Sequence, residues 1–160
     1  LSEPRLLRFA VGAFESSEDL DRALQELQLG GMASSSVSYL ALERVLAAKV
    51  TAARSDIRQL AFPEQNEPLA CTAGPLAECL WERLLLGAIS LKDALGRWLI
   101  PRHAAHLQRA VESGSVLMWL RLADADEERR ACQCLLAHSS NSVGVHDLSV
   151  GPTPSNGTPR

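Results

Sequence analysis

Two short runs hold the side chains best suited to chemistry. "PRHAAHLQ", starting at position 101, carries His103 and His106. Three positions apart on a helix, the two imidazoles share a face and could give two ligands to a metal ion. A metal needs further donors. Cys79 and Glu112 have suitable side chains, but no spacing brings them to the pair. The ordinary reading is a solvated helix face. The second run is Cys132 and Cys134 with His138. On a helix Cys134 and His138 share a face, whereas Cys132 points elsewhere and reads as a small core residue. A CxC within a helix is not a usual zinc or thioredoxin-like spacing. No metal and no cofactor are expected.

The other polar residues form no catalytic constellation. His146 and Asp147 are neighbours on an expected strand, so their side chains face opposite ways. Ser115 and Ser142 lack the glycine context of a nucleophile elbow. Gly30 and Gly31 read as a helix stop, and the chain contains neither GxGxxG nor GxxxxGK[ST]. The chain therefore reads as a non-enzyme. Trp81, Trp98 and Trp119 read as core anchors. Trp98, with Leu95, Leu99 and Ile100, has the alternative of marking a partner surface.

The totals bound the setting. A length of 160 residues suits one compact domain. Aromatics make up only 4%, so Leu, Val and Ala must build the core. A formal charge of −3 argues against a general nucleic-acid surface, which needs a basic patch to neutralise phosphates. Apolar runs fall far short of the roughly 20 residues that cross a bilayer, so no membrane span is expected. The opening "LSEPRLLRF" has no basic region leading into an apolar run. With that, the four cysteines read as reduced, partly buried thiols, and a cytoplasmic setting is expected.

Hydrophobic periodicity supplies the elements that must position these residues. Residues 6–14 form an apolar run and read as a buried strand. Ser16, with Asp19 three residues on, has the form of a helix cap, and Leu20, Ala23, Leu24 and Leu27 follow at helical spacing. Residues 36–41 alternate as a second strand with one wetter face. Residues 43–60 read as a helix, and the segment around Pro63 and Pro68 as a loop. Helices are expected from Pro75 to Leu86, from Ser90 to Trp98 and from Pro101 to Glu112. Residues 116–122 read as a third strand. Asp124 caps a further helix with Ala131, Cys132, Leu135 and Leu136 as its apolar stripe. Residues 143–150 read as a fourth strand, and 151–160 as a mobile tail.

The two ends overlay at one constant offset. Phe9 falls on Leu117, Val11 on Trp119, Ser16 on Asp124, Ala23 on Ala131, Leu27 on Leu135 and Val37 on Val145. Two βαβ halves in series predict an α+β fold with a ferredoxin-like, four-stranded antiparallel sheet. Strands one and three are then central, with two and four at the edges. One domain over residues 1–150 is expected. It divides into a first half at 5–42, a helical insertion at 43–113 and a second half at 114–150. If the halves are equivalent, Val11 and Trp119 lie on adjacent strands.

"AVGAFESSEDLDRALQELQLGGM" and "HLQRAVESGSVLMWLRLADADEERRACQCLLAHSSNSVGVHDL" resemble the two halves of bacterial heat-induced and general-stress protein families. The resemblance covers about two thirds of the chain and excludes the middle. Many members carry a glycine-zipper membrane hairpin there. In this chain Glu78, Glu82, Arg83 and Lys92 interrupt that segment, so a soluble form is expected. The resemblance implies a stress-related role and no catalytic residues.

The expected function is association, as a homodimer or with a protein partner, through edge strands and the apolar insertion. The alternative is a small-ligand sensor. Its cleft would lie between sheet and insertion, with Arg102, His103 and His106 as contacts.

Overall fold

The structure is a computed structural model that describes residues 5–50 and 56–150. Strand β1 (Arg5–Phe14) enters helix α1 (Ser17–Leu29) through Ser16, whose hydroxyl accepts the backbone N–H groups of Glu18 and Asp19. A short 3-10 turn at Ser34–Ser36 precedes β2 (Val37–Leu42), which runs straight into α2 (Glu43–Lys49). β3 (Ile57–Leu60) and β4 (Leu69–Thr72) follow. Next come α3 (Pro75–Leu85), α4 (Leu91–Leu95) and α5 (Pro101–Glu112). The chain closes with β5 (Val116–Arg121), α6 (Ala125–His138) and β6 (Asn141–Val150).

The α+β class stands, but the four-stranded ferredoxin-like sheet does not. The sheet has six strands, ordered β3-β4-β2-β5-β1-β6, and every pairing is antiparallel. Two of the strands come from the segment expected as a helical insertion with a loop around Pro63 and Pro68. The helix expected over 43–60 ends at Lys49, and Ile57–Leu60 is strand. β3 and β4 form a hairpin that adds to β2, so β2 is interior and β3 takes that edge. This explains why β2 lacks a wet face: Ser38, Tyr39, Leu40, Ala41 and Leu42 are all buried. The expected tail, 151–160, lies outside the described residues.

β1 and β5 do lie side by side, and Val11 pairs directly with Trp119. These are the same two residues that the constant offset equates. A local two-fold axis relating β1-α1 to β5-α6 therefore passes between them. Equivalent positions of α1 and α6 then meet near that axis. Ala23 and its equivalent Ala131 are both fully buried, and their small side chains let the helices approach closely.

The register shows which helices cover which face. A side chain at Gly12 would meet Leu135 and Ser139 of the α6 end, so Gly12 faces α6. Arg58 lies over the Trp81 ring of α3, and register runs from Arg58 through Cys71 and Leu40 to Leu117, which pairs with Ala13. Ala13 and Gly12 point to opposite faces. α1 and α6 thus cover one face, and the insertion helices cover the other. Lys49 ties α2 to the sheet by donating to the carbonyls of Glu15 and Gly114. A cap made from both sides starts α6. The Asp124 carboxylate accepts the Glu127 N–H, and the Glu127 carboxylate accepts the Ala123 N–H.

Candidate functional site

Four cations converge where the insertion helices meet. Arg83 comes from the last turn of α3, Lys92 from α4, Arg97 from the link after it, and Arg102 from the first turn of α5. They line a groove of about 850 Å³ with Glu64, Asp93, Ser90 and Pro101. Asp93 is already engaged, since its carboxylate accepts the backbone N–H of Ile89. None of the four cations takes part in an ion pair among the described residues. The Nε of Arg83 is buried without a hydrogen-bond partner. α5 opens onto the same groove. Its N-cap, Ile100, offers no side-chain acceptor; Pro101 has no N–H and the His103 and Ala104 N–H groups donate to the Ile100 carbonyl, so the helix adds the Arg102 N–H and its dipole there. Donors without acceptors, on several elements around one hollow, suit an anion.

His103 and His106 are exposed on α5, and no third metal-ligand side chain converges with them among the described residues. His103 instead meets His146 of β6, with ring centroids 5.9 Å apart at 60°. His146 sits opposite Phe9 on the face the insertion covers. A side chain at Gly144 would lie 3.0 Å from its Nε2, so this glycine leaves room for the ring. The next residue, Asp147, points away and holds Arg8 at 3.0 Å, with Glu128 of α6 on the other side of the guanidinium at 2.7 Å. Arg8 holds the Glu128 carboxyl below the usual carboxylate range.

Burial lowers the His146 pKa from its ordinary value of 6.5, and the neighbouring His103 adds to the effect, against a smaller opposing pull from Asp147. The unfolded chain therefore takes up this proton at a higher pH than the folded one. Its contribution to stability is complete above about 6.5 and is lost as pH falls below that value. Denaturation midpoints at pH 7.5 and 5.5 test this. The drop on acidification should shrink in His146→Gln; an equal drop in both proteins would contradict it.

The cysteines differ from expectation in one respect. Cys134 is the buried member of its pair and Cys132 is half-buried, so the apolar stripe of α6 runs through Ala131, Cys134 and Leu135, with Leu136 exposed. All four cysteines are free thiols. Burial raises Cys71, pushes Cys79 up to about 11 and Cys134 up to about 12. Thiols so far from ionising are poor nucleophiles at neutral pH. Glu26 of α1 joins Cys134 and His138 of α6, and their ligand atoms all lie within 4.8 Å of one another. The His138 Nε2 to Glu26 Oε1 distance is 2.8 Å.

Trp119 is fully buried, while Trp81 and Trp98 are partly buried against the core. Leu95 and Leu99 are buried too, and the Trp98 indole N–H donates to the Ser149 hydroxyl at 3.0 Å. Of that cluster only Ile100 is left exposed, so it offers no contiguous apolar surface. Ser115 is buried, and the Ser142 side chain lies outside the described residues. No helix among the described residues is long and apolar enough to cross a membrane.

Of the three ligand contacts expected from sequence, only Arg102 lines the groove. Its companions there, Arg83, Lys92 and Arg97, are not among the expected contacts. They come from three elements whose relative placement has no local signature. Comparison with protein-family models, with characterised proteins and with solved structures finds no match to this chain.

Proposed function

We propose that this protein is a non-enzymatic binding module whose groove among α3, α4 and α5 takes a small anionic ligand bearing phosphate or several carboxylates. The observation that carries this reading is the set of four cations, in no ion pair among the described residues, around one hollow in a chain whose formal charge is −3. Elsewhere Arg8, Arg22, Arg44, Arg58 and Arg129 are ion-paired, whereas the exposed Arg5, Arg109, Arg121 and Arg130 form no ion pair among the described residues; what sets the four groove cations apart is that they share one hollow. The groove lies inside the insertion, not between insertion and sheet as the sequence reading places it. Such a sensor is compatible with the stress-related role that the resemblance implies and with the cytoplasmic setting expected from the cysteines and the opening residues.

The test is thermal unfolding with pyrophosphate and with citrate at low ionic strength. A ligand present at 100 times its Kd stabilises by about 2.7 kcal/mol. The shift should shrink with added salt, as charge pairing does, and vanish when Arg97→Glu and Arg102→Glu are combined. No shift with either anion at millimolar concentration, or an undiminished shift in the charge-reversed protein, sinks the reading.

Association through β6 is a second reading. β6 is a ten-residue strand paired on one side only, to β1. Antiparallel pairing with a second copy would complete it. A dimer by native mass spectrometry that persists at nanomolar concentration would favour this; a monomer at micromolar concentration would rule it out.

A further inference from the structure

The insertion groove is one candidate; the contact between α1 and α6, on the other face of the sheet, is a separate one. Glu26, Cys134 and His138 meet there. We propose that these three side chains bind one divalent zinc-type ion, a staple between the two helices. Cys134 and His138 are one helical turn apart, so both reach the same side of α6. Glu26 comes from the last turns of α1, across the helix contact. The offset that equates Ala23 with Ala131 also equates Glu26 with Cys134. The two sit at matching points beside the local two-fold axis, which is why helices far apart in sequence present them to one another.

The donors fit the ion. A thiolate sulfur, an imidazole nitrogen and a carboxylate oxygen form a mixed set that suits zinc, and three protein ligands leave a fourth position for solvent. Zinc bonds of about 2.0–2.3 Å need ligand atoms roughly 3.3–3.8 Å apart in a tetrahedral arrangement. Atoms already within 4.8 Å reach that by small side-chain rotations. Glu26 and Cys134 also line a hollow of about 160 Å³ with Leu27, Met32 and Ala131, which leaves space beside the ion for that solvent position. On binding, the Cys134 S–H proton passes to water, a sulfur–metal bond forms, and no electron is transferred.

The burial pattern gives the site a purpose beyond packing. Cys134 is about 1% exposed, whereas the His138 side chain is 23% and the Glu26 side chain 54% exposed. An ion can therefore enter from solvent and bind the sulfur beneath. The pair His138–Glu26 without an ion is a half-exposed contact of small worth. With an ion it becomes a cross-link between the two helices.

The experiment uses tag-free full chain, stripped with EDTA and titrated with Co²⁺ and then Zn²⁺. Expected are one equivalent of Co²⁺, a sulfur-to-cobalt charge-transfer band, tetrahedral d–d absorption and displacement by Zn²⁺. Loss of even an outer-shell partner costs about 10–100-fold in metal affinity, so His138→Ala and Glu26→Gln should each weaken binding at least that much. Both side chains are partly exposed, so these variants keep the fold, which circular dichroism checks. Cys134→Ser should abolish the charge-transfer band. His103→Ala should change nothing. Absence of a sulfur band at one equivalent, or unchanged affinity in His138→Ala, overturns the proposal.

Discussion

Trp119→Ala should destabilise the protein by about 3–5 kcal/mol, the range for truncating a fully buried tryptophan. Trp119 has no exposed surface, sits on β5 between Val11 and Ser38, and meets the Phe9 ring edge-on at 5.9 Å and 82°. It therefore joins three adjacent strands at the local axis of the sheet, beneath the insertion helices. Truncation leaves a cavity bounded by strands that cannot collapse without breaking register. Trp119→Phe should cost much less, about 1.5 kcal/mol or under. Phenylalanine keeps a ring for Phe9 and removes the indole N–H, which is buried without a partner in the present structure. Urea denaturation of the two variants checks both figures. Equal losses would mean that ring packing is not what the site requires.

Gly12→Val should cost about 1–3 kcal/mol, from overpacking rather than from a cavity. Gly12 lies near the C-terminal end of β1, opposite Met118, and a Cβ there would lie 3.1 Å from Leu135 and 3.2 Å from Ser139. Both contacts are with the end of α6, so valine must push that helix off the sheet or force Leu135 from its rotamer. A double-mutant cycle separates these. If the strain is against Leu135, Leu135→Ala in the Gly12→Val background should cost clearly less than in the parent protein. Strict additivity would show that the valine is accommodated elsewhere. Because α6 carries Cys134 and His138, the same variant also probes how firmly that helix is held in place.

The chain's local grammar was legible. Ser16 and Asp124 mark helix starts because their side chains can satisfy N–H groups that the first turn leaves free, and both do so. Pro75 and Pro101 open α3 and α5 for a related reason, since proline has no N–H to satisfy there. The overlay of the two halves placed Val11 and Trp119 on adjacent strands, and they are; that the two residues pair directly comes from the register.

Other features depend on partners distant in sequence. β3 and β4 have four residues each, too few for period-two alternation to mark a strand, so β3 falls within the helical reading of 43–60 and β4 between the loop at Pro68 and the helix at Pro75. They become strands because β2 offers them an unpaired edge, and that same pairing makes β2 interior and widens the sheet from four strands to six. The stripe of α6 shifts from Cys132 to Cys134 because Ala23 of α1, not the helix's own periodicity, sets which side is buried.

By itself, then, the sequence determined where most helices start, the caps at Ser16 and Asp124 and the α+β class, all consequences of interactions within a few residues or of hydrophobic period. Tertiary structure alone decided the sheet's width and edges, the meeting of Arg83, Lys92, Arg97 and Arg102 in one groove, and the approach of Glu26 to Cys134 and His138. Those depend on how the elements pack, and packing is a property of surfaces brought together from distant parts of the chain.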